Sequence, residues 1–181
     1  KFHCRNRNGL DLTPLIPELH RQLAHLCNLS FTDKELDYLG HFDFITPDFI
    51  EFLRIFKLNM RFVKLEPKDG DINLRFHGPL LHVTLMEIYT LAIISELHTE
   101  KNCNGFDLTL ARKNLAKKIA LIKQDDAFSD IKFSDFGTRR RASKSWQKEV
   151  LQTLKTELPN NFSGSSNPHF SQALGLTPMG T

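Results

Sequence analysis

The chain has 181 residues, of which 40% are hydrophobic and 25% charged, and its formal net charge is +3. This composition is typical of a soluble globular protein, and so mild a charge does not favour a nucleic-acid-binding protein. The three cysteines, Cys4, Cys27 and Cys103, do not form a CxxC pair. We therefore expect neither a disulfide framework nor a zinc site, and a reducing, cytoplasmic compartment.

The apolar stretch around residues 91–94 is interrupted by Glu87 and Glu96. No apolar run then reaches the roughly 18 residues of a membrane span, so we expect no membrane association and no signal peptide. The chain begins at Lys1 rather than Met and stops at Thr181, where a strand reaches its loop. We expect a segment that lacks both ends of a longer polypeptide.

Short helices and one hairpin are predicted in the first part of the chain, after a strand at residues 1–5. Thr13 before Pro14 predicts an N-cap and an amphipathic helix over residues 14–27. A capping-box sequence at residues 32–35 predicts a helix that ends at Gly40, and another is expected to start at residues 46–48. Alternating apolar residues on either side of residues 69–71 predict a β-hairpin over 62–76.

A different rhythm is predicted in the remainder of the chain. We expect a strand over residues 80–84, a helix over 85–99, a loop at 102–105 and a helix over 107–124. Strands at 131–136, 162–163 and 176–179 alternate with helices at 144–158 and 168–174, which predicts two consecutive βαβ units. The predicted domain boundary lies between residues 1–130 and residues 131–181.

The sequence SDFGTRRRAS at residues 134–143 predicts an anion site between a strand and a helix. Gly137 is expected to allow a sharp turn. Arginine side chains match phosphate or carboxylate oxygens two at a time, and the N-terminus of the next helix adds a positive dipole end. The alternative is a solvated surface cluster, but the C-terminal end of a strand favours a site. The predicted phosphate-binding residues are Gly137, Arg139, Arg140 and Arg141.

Two further strand-end loops, GSSN at residues 164–167 and GT at 180–181, are expected to converge on the same face of the sheet. Phe136 either belongs to the core or presents its ring to a flat substrate. Asp135 either orients an arginine or holds a loop, and the GSSN loop alternatively only caps the following helix. No metal-ligand spacing and no catalytic Ser-His-Asp arrangement is found among the eight histidines. The predicted supporting residues are Asp135, Gly164, Ser165, Asn167 and Gly180.

Three blocks together, residues 134–143, FSGSSN at 162–167 and LTPMGT at 176–181, resemble the nicotinate phosphoribosyltransferase family. Residues 78–97 resemble the segment that precedes the barrel in that family, so the resemblance covers nearly the whole chain. It implies the α/β fold of the type II phosphoribosyltransferases. An N-terminal α+β, sandwich-like domain with a helical insertion would occupy residues 1–130, and the first βα units of an irregular TIM-like barrel would occupy residues 131–181.

The resemblance implies an enzyme of NAD biosynthesis that joins nicotinate to phosphoribosyl pyrophosphate, giving nicotinate mononucleotide and pyrophosphate. It also implies coupled ATP hydrolysis through a phosphorylated histidine, Mg²⁺ as cofactor, and a homodimer. That histidine is expected about three residues beyond Thr181, and a substrate-stacking tyrosine motif is also absent from the sequence. We therefore expect no catalytic residue within this segment and no activity from it alone.

The resemblance also assigns substrate contacts within the segment. Phe136 would stack on the pyridine ring, Arg139 would contact phosphate or pyrophosphate oxygens, and Thr181 would lie against nicotinate. Ser166 falls where nicotinamide-using relatives have aspartate, and its hydroxyl can donate to a carboxylate that an aspartate would repel. The alternatives are a nicotinamide- or quinolinate-using relative, a non-catalytic module that binds phosphorylated ligands, and a regulatory fragment phosphorylated within residues 140–143.

Overall fold

The computed structural model describes residues 11–102 and 106–180 of the chain. The chain divides after His98 into two compact units, each of which is built around its own core. The strand expected at residues 1–5, most of the loop expected at 102–105, and Thr181 lie outside the described residues.

The first unit opens with a 3₁₀ turn at Thr13–Leu15, which runs into helix α1, Ile16–Cys27. The helix is where the apolar spacing predicts it, but the predicted N-cap at Thr13 is wrong. Thr13 lies inside the turn, and its amide donates to Asp11 Oδ1 at 2.9 Å. Hydrogen bonds from the side chain and from the backbone amide of Thr13 lower the pKa of Asp11 below its usual value. Leu12 is the N-cap and makes no side-chain capping bond, so the amide of Thr13 is satisfied by the carboxylate of Asp11 instead.

Helices α2, Asp33–Gly40, and α3, Pro47–Ile55, are both confirmed. Thr32 Oγ1 accepts a hydrogen bond from the amide of Glu35, and Glu35 Oε2 accepts one from the amide of Thr32 at 2.8 Å. This reciprocal pair satisfies two amides that a helix N-terminus otherwise leaves unpaired. Thr46 caps α3 in the same position, so both starts follow from local sequence.

Strands β1, Val63–Lys68, and β2, Asp71–Phe76, form the predicted antiparallel hairpin. Asp69 and Gly70 connect them with φ angles of 52° and 75°. Two consecutive left-handed residues are typical of the type I′ turn, whose twist matches that of the strands. One face of the hairpin packs on α1, and the buried side chains of this core include Leu15, Leu19, Leu23, Ile72 and Leu74.

Helix α4, Leu80–Asn102, replaces the predicted strand over residues 80–84, which was wrong. The carbonyl of Pro79 accepts a hydrogen bond from the amide of Val83 at 3.1 Å, so the helical pattern begins directly at the proline. Proline is favourable at a helix start because its φ is already helical and its missing N–H is not needed there. A short apolar run does not distinguish a strand from a buried helix.

By length and composition alone, Leu80–Lys101 is long and apolar enough to cross a membrane, and 28% of its most apolar part is buried inside the protein. The expectation that no apolar stretch reaches this length is therefore corrected, because the helix is apolar on average despite its acidic residues. One such helix is weak evidence for a membrane span, since the core helix of a soluble protein passes the same test. Ile94 and Leu97 indeed pack into the core of the first unit.

The second unit contains helix α5, Leu108–Gln124, as predicted, and Asp107 Oδ1 accepts the amide of Leu110 at its start. Helix α6, Lys144–Glu157, runs beside α5. The two helices are joined by exposed ion pairs, Arg112 with Glu149 at 2.6 Å and Lys123 with Glu157 at 2.7 Å. Exposed pairs of this kind contribute little to stability.

Strand β3, Phe133–Asp135, and strand β4, Phe162–Ser165, pair in parallel and are connected by α6. Helix α7, Pro168–Leu174, follows β4 and leads to a single parallel bridge between Ser165 and Pro178. The first predicted βαβ unit is confirmed. The second is confirmed only as far as α7, because a single bridge at Pro178 stands where a strand over residues 176–179 was predicted. Their core is formed by the buried side chains of Leu151, Phe162 and Phe170.

Asn161 explains why β3 starts later than the predicted residue 131. Its Nδ2 lies within hydrogen-bonding distance of the carbonyls of Phe128, Ser129 and Ile131, at 3.0, 3.2 and 2.9 Å. Its own carbonyl accepts the amide of Phe133 at 2.9 Å. The segment before β3 is therefore held by a buried side chain rather than by a neighbouring strand.

Candidate functional site

The loops that follow β3 and β4 lie together at the C-terminal edge of the parallel sheet. The amide of Ser166 donates to the carbonyl of Asp135 at 2.9 Å. Asn167 Nδ2 donates to Thr138 Oγ1 at 3.1 Å, which links the second loop to the arginine-rich turn. The amide of Met179 donates to the carbonyl of Ser165 at 2.9 Å, so residues 177–180 arrive at the same edge.

Arg139 and Arg140 lie in a 3₁₀ turn, Thr138–Arg140, which we call the Arg turn, and Arg141 follows it in extended conformation. Gly137 precedes it with φ −80° and ψ −10°, a conformation open to any residue. The expected reason for this glycine is therefore wrong: what favours glycine here is close approach, because an added Cβ would lie 2.8 Å from Asp135 Oδ1 and would force that carboxylate to shift. Arg139 and Arg140 are exposed, and Arg141 is half-buried.

Asp135 connects the elements of this edge. Its Oδ1 accepts hydrogen bonds from the amide of Gly137 at 3.0 Å and from Gln147 Nε2 at 2.8 Å. Its Oδ2 accepts one from Ser165 Oγ at 2.8 Å. Hydrogen bonds to a carboxylate are stronger than those between neutral groups. Of the two roles left open by the sequence, these contacts establish that Asp135 holds the loops.

The second loop depends on Gly164 and Ser165. Gly164 has φ +148°, and an added Cβ would lie 2.0 Å from the carbonyl oxygen of Thr177, so glycine is required by both conformation and space. Ser165 is fully buried, and its Oγ accepts the amide of Asn167 at 3.1 Å. Asn167 Oδ1 in turn accepts the amide of Phe170, so the helix-capping alternative holds for Asn167.

The structure gives the exposure or surroundings of three of the four remaining candidate residues. Phe136 is 50% exposed, which excludes the core alternative and leaves its ring accessible beside the Arg turn. Ser166 is half-buried. Gly180 has open space where a Cβ would lie, and Thr181 lies outside the described residues. Their substrate contacts stay predictions.

Gln147 on α6 was missed by the sequence reasoning. Its side chain is only 7% exposed, although it is polar. A signal was present, because Gln147 stands four residues before the fully buried Leu151 and so falls on the inner face of the helix. A polar residue on such a face needs a partner, and here that partner is Asp135.

No group of three or more His, Cys, Asp or Glu that could hold a metal ion occurs within residues 11–102 and 106–180. The described residues therefore provide cationic and hydroxyl groups for an anionic ligand, but no ligand set of their own for a divalent cation.

A parallel βαβ unit with an arginine-rich turn at the end of its first strand defines an α/β protein, with the candidate residues at the C-terminal edge of its sheet. Two family models match the chain. Residues 1–95 match the nicotinate phosphoribosyltransferase (NAPRTase) N-terminal domain, and residues 131–181 match the nicotinate phosphoribosyltransferase (NAPRTase) family. The chain belongs to the nicotinate phosphoribosyltransferase family, as the sequence resemblance predicts.

The similar proteins of known family are more than twice as long as this chain. A nicotinate phosphoribosyltransferase from Psychromonas ingrahamii is 67% identical over the whole chain, and one from Cupriavidus necator is 42% identical. The chain spans 45% and 46% of their lengths, so it covers less than half of each.

Two solved structures share the fold. The crystal structure of nicotinate phosphoribosyltransferase from Vibrio cholerae superimposes with a TM-score of 0.88 at 27% identity, covering 94% of this chain and 42% of that one. The structure from Porphyromonas gingivalis gives 0.83 at 27% identity, covering 93% and 43%. The predicted α/β fold class is confirmed, and closure into a barrel stays a prediction.

Proposed function

We propose that this chain is part of an enzyme that transfers the phosphoribosyl group of phosphoribosyl pyrophosphate to nicotinate, forming nicotinate mononucleotide in NAD biosynthesis. The 67% identity to the Psychromonas ingrahamii relative over all 181 residues carries the proposal. The Arg turn, held at the end of β3 and tied to the loop after β4, gives that relationship a physical basis.

In this reaction the bond between the ribose C1 and a pyrophosphate oxygen breaks, and a bond forms from C1 to the pyridine nitrogen. The electron pair of the broken bond leaves with pyrophosphate, so negative charge grows on the leaving group. Preorganised cations at that position stabilise the transition state. The exposed guanidinium groups of Arg139 and Arg140 suit this role, since each can bind two phosphate oxygens.

Binding of nicotinate is assigned to the residues around the same edge. The half-exposed ring of Phe136 offers a face for stacking on the pyridine ring. The hydroxyl of Ser166 donates to the nicotinate carboxylate, and Thr181 completes the contact. An aspartate at position 166 would repel that carboxylate. The site therefore favours the acid over the amide.

Further parts of the proposal rest on the family resemblance. The complete enzyme hydrolyses ATP as a co-substrate through a phosphorylated histidine beyond this segment, acts as a cytoplasmic homodimer, and binds no nucleic acid. Mg²⁺ would neutralise phosphate oxygens when bound. The described residues offer it no cluster of ligands, so it would be held mainly by the phosphates themselves, and the roles of the protein side chains do not depend on it.

The test uses a chimera in which these 181 residues replace the matching 45% of the Psychromonas ingrahamii relative, with the unaltered relative as positive control. Labelled nicotinate, phosphoribosyl pyrophosphate and Mg²⁺ are supplied with and without ATP. We expect nicotinate mononucleotide that depends on phosphoribosyl pyrophosphate and increases with ATP. A folded chimera that converts neither nicotinate, nicotinamide nor quinolinate would refute the proposal and favour the non-catalytic binding module.

Substrate preference is tested in the same chimera. Ser166→Asp should lower kcat/KM for nicotinate by about 10- to 100-fold, the effect expected when a charge-assisted hydrogen bond is replaced by repulsion. Ser166→Ala removes only the donor and should cost less. Equal preference for nicotinate over nicotinamide in the wild-type and Ser166→Asp chimeras would contradict the role of Ser166.

A further inference from the structure

Gln147 is a buried amide that the roles assigned so far do not use. It lies in the first turn of α6, on the face that carries the fully buried Leu151. Its Nε2 donates to Asp135 Oδ1 at 2.8 Å, across twelve residues of sequence. The contact joins the start of α6 to the end of β3. The Arg turn lies between these two elements along the chain.

The backbone at Gly137 lies against the same amide. A Cβ on Gly137 would be 3.0 Å from Gln147 Nε2 and 3.3 Å from Gln147 Oε1, so the glycine rests directly on the side-chain amide. The amide of Gly137 donates to the oxygen that Gln147 also contacts. Asp135 Oδ1, Gln147 and Gly137 therefore form one hydrogen-bonded contact immediately before the Arg turn.

The Arg turn begins one residue later. The amide of Arg140 donates to the carbonyl of Gly137 at 2.9 Å, so the direction of the turn follows from the placement of Gly137. Asp135 Oδ2 is bound to Ser165 Oγ. Removal of the Gln147 donor would therefore leave Oδ1 held by the Gly137 amide alone, while the bond from Ser165 to Oδ2 that holds the second loop would stay.

We propose that Gln147 is a positioning residue for phosphate binding: through Asp135 and Gly137 it fixes the orientation of the Arg turn toward the pyrophosphate group of the substrate. The proposal rests on the proposed function. Gln147 itself touches neither substrate nor reacting atoms, so its effect is transmitted through the backbone that carries Arg139 and Arg140.

Glutamate and glutamine have nearly the same shape, which provides a test specific to the hydrogen bond. In a Gln147→Glu variant, two carboxyl groups face each other at about 2.8 Å, and like charges this close favour uptake of a shared proton. When the pair holds a proton, an O–H replaces the lost N–H donor. When both groups are ionised, they repel and the turn is displaced.

The experiment compares Gln147→Glu, Gln147→Met and the matched control Gln152→Glu in the chimera, with KM for phosphoribosyl pyrophosphate and kcat measured from pH 5.5 to 8.5. Gln152 lies on the same helix and is exposed. Gln147→Met should raise this KM about tenfold at every pH, as expected for loss of one hydrogen bond to a charged group. Gln147→Glu should raise it similarly at pH 8.5 and approach wild type as the pH falls. Gln152→Glu should change neither.

The proposal is overturned if both Gln147 variants keep KM within about twofold of wild type, or lower only the yield of folded enzyme. A Gln147→Glu effect that is equal at every pH would also overturn it.

An inactive wild-type chimera beside an active relative would refute the proposed function instead. Gln147 would then be judged by titrating the 181-residue chain with pyrophosphate and following the backbone amides of the Arg turn by NMR. Weaker binding by Gln147→Met than by Gln152→Glu supports the proposal, and equal binding or none overturns it.

Discussion

The replacement Gly164→Ala should destabilise the second unit strongly, although it adds only one methyl group. Gly164 has φ +148°, a conformation that residues with a Cβ rarely adopt. The added Cβ would lie 2.0 Å from the carbonyl oxygen of Thr177 and 3.1 Å from Met179 Cγ. Both of these atoms belong to the segment that pairs with the end of β4.

The magnitude follows from the contacts that must open. Ordinary van der Waals contact begins near 3.4 Å, so the backbone at Thr177 must retreat by roughly 1.4 Å. That movement breaks the hydrogen bonds from the amide of Ser165 to Thr177, at 3.1 Å, and from the amide of Met179 to Ser165, at 2.9 Å. Each contributes about 1 kcal/mol, and the backbone strain adds about 1–3 kcal/mol. We expect a loss of about 3–5 kcal/mol in the free energy of unfolding.

Urea denaturation followed by the fluorescence of Trp146 measures this loss, because the chain has one tryptophan and it lies in the same unit. Gly180→Ala is the matched control, since no atom lies within 4 Å of its added Cβ, and it should change stability by less than about 0.5 kcal/mol. A Gly164→Ala variant within about 1 kcal/mol of wild type would show that the close approach at Thr177 does not exist.

Three further changes test the second unit. Asn161→Ala should lower the free energy of unfolding by about 2–4 kcal/mol in the same assay, because buried carbonyls lose their donor, whereas the exposed Asn160→Ala should be nearly neutral. Leu151→Ala should cost about 2–5 kcal/mol by opening a cavity in the core. Arg112 hydrogen-bonds to Glu149 and lowers its pKa, so Arg112→Ala should raise that pKa in an NMR titration. Because folding lowers this pKa, the pair's contribution is present above the usual glutamate pKa and is lost as the pH falls through the lowered one; an unchanged pKa would contradict the ion pair.

Local signals predicted much of the fold. The capping box at residues 32–35 and the turn at Asp69 and Gly70 are each specified by neighbouring residues, and both are confirmed. The βαβ units were predictable because the strand and helix patterns alternate with short connections. The segment over residues 80–84 was not, because its apolar residues suit a strand or a helix, and the choice depends on how the chain leaves Gly78 and Pro79.

The position of the candidate site along the chain was predictable, but the hydrogen bonds that hold its loops together were not. The arginines and the hydroxyl-bearing loop were located from their places at strand ends. The reason for Gly137 is proximity to Asp135 and Gln147, which lies in three-dimensional contacts and not in a turn type. Gln147 itself carries only the weak signal of a polar residue on a buried face. Which donors Asp135 accepts depends on the pairing of two strands that are far apart in sequence.

That pairing also explains how the end of β3 both holds the second loop and exposes an aromatic ring beside it. Asp135 is the register partner of Ser165 across the parallel sheet, which lets its carboxylate receive the serine hydroxyl and hold the second loop. Phe136 is the first residue after β3 ends, and its side chain is 50% exposed. Asp135 fixes the geometry of the loops, and under the proposed function Phe136 and the arginines that follow it would contact the ligand. Substitutions at Asp135, Gln147 or Ser165 should therefore change affinity through the position of groups they do not replace.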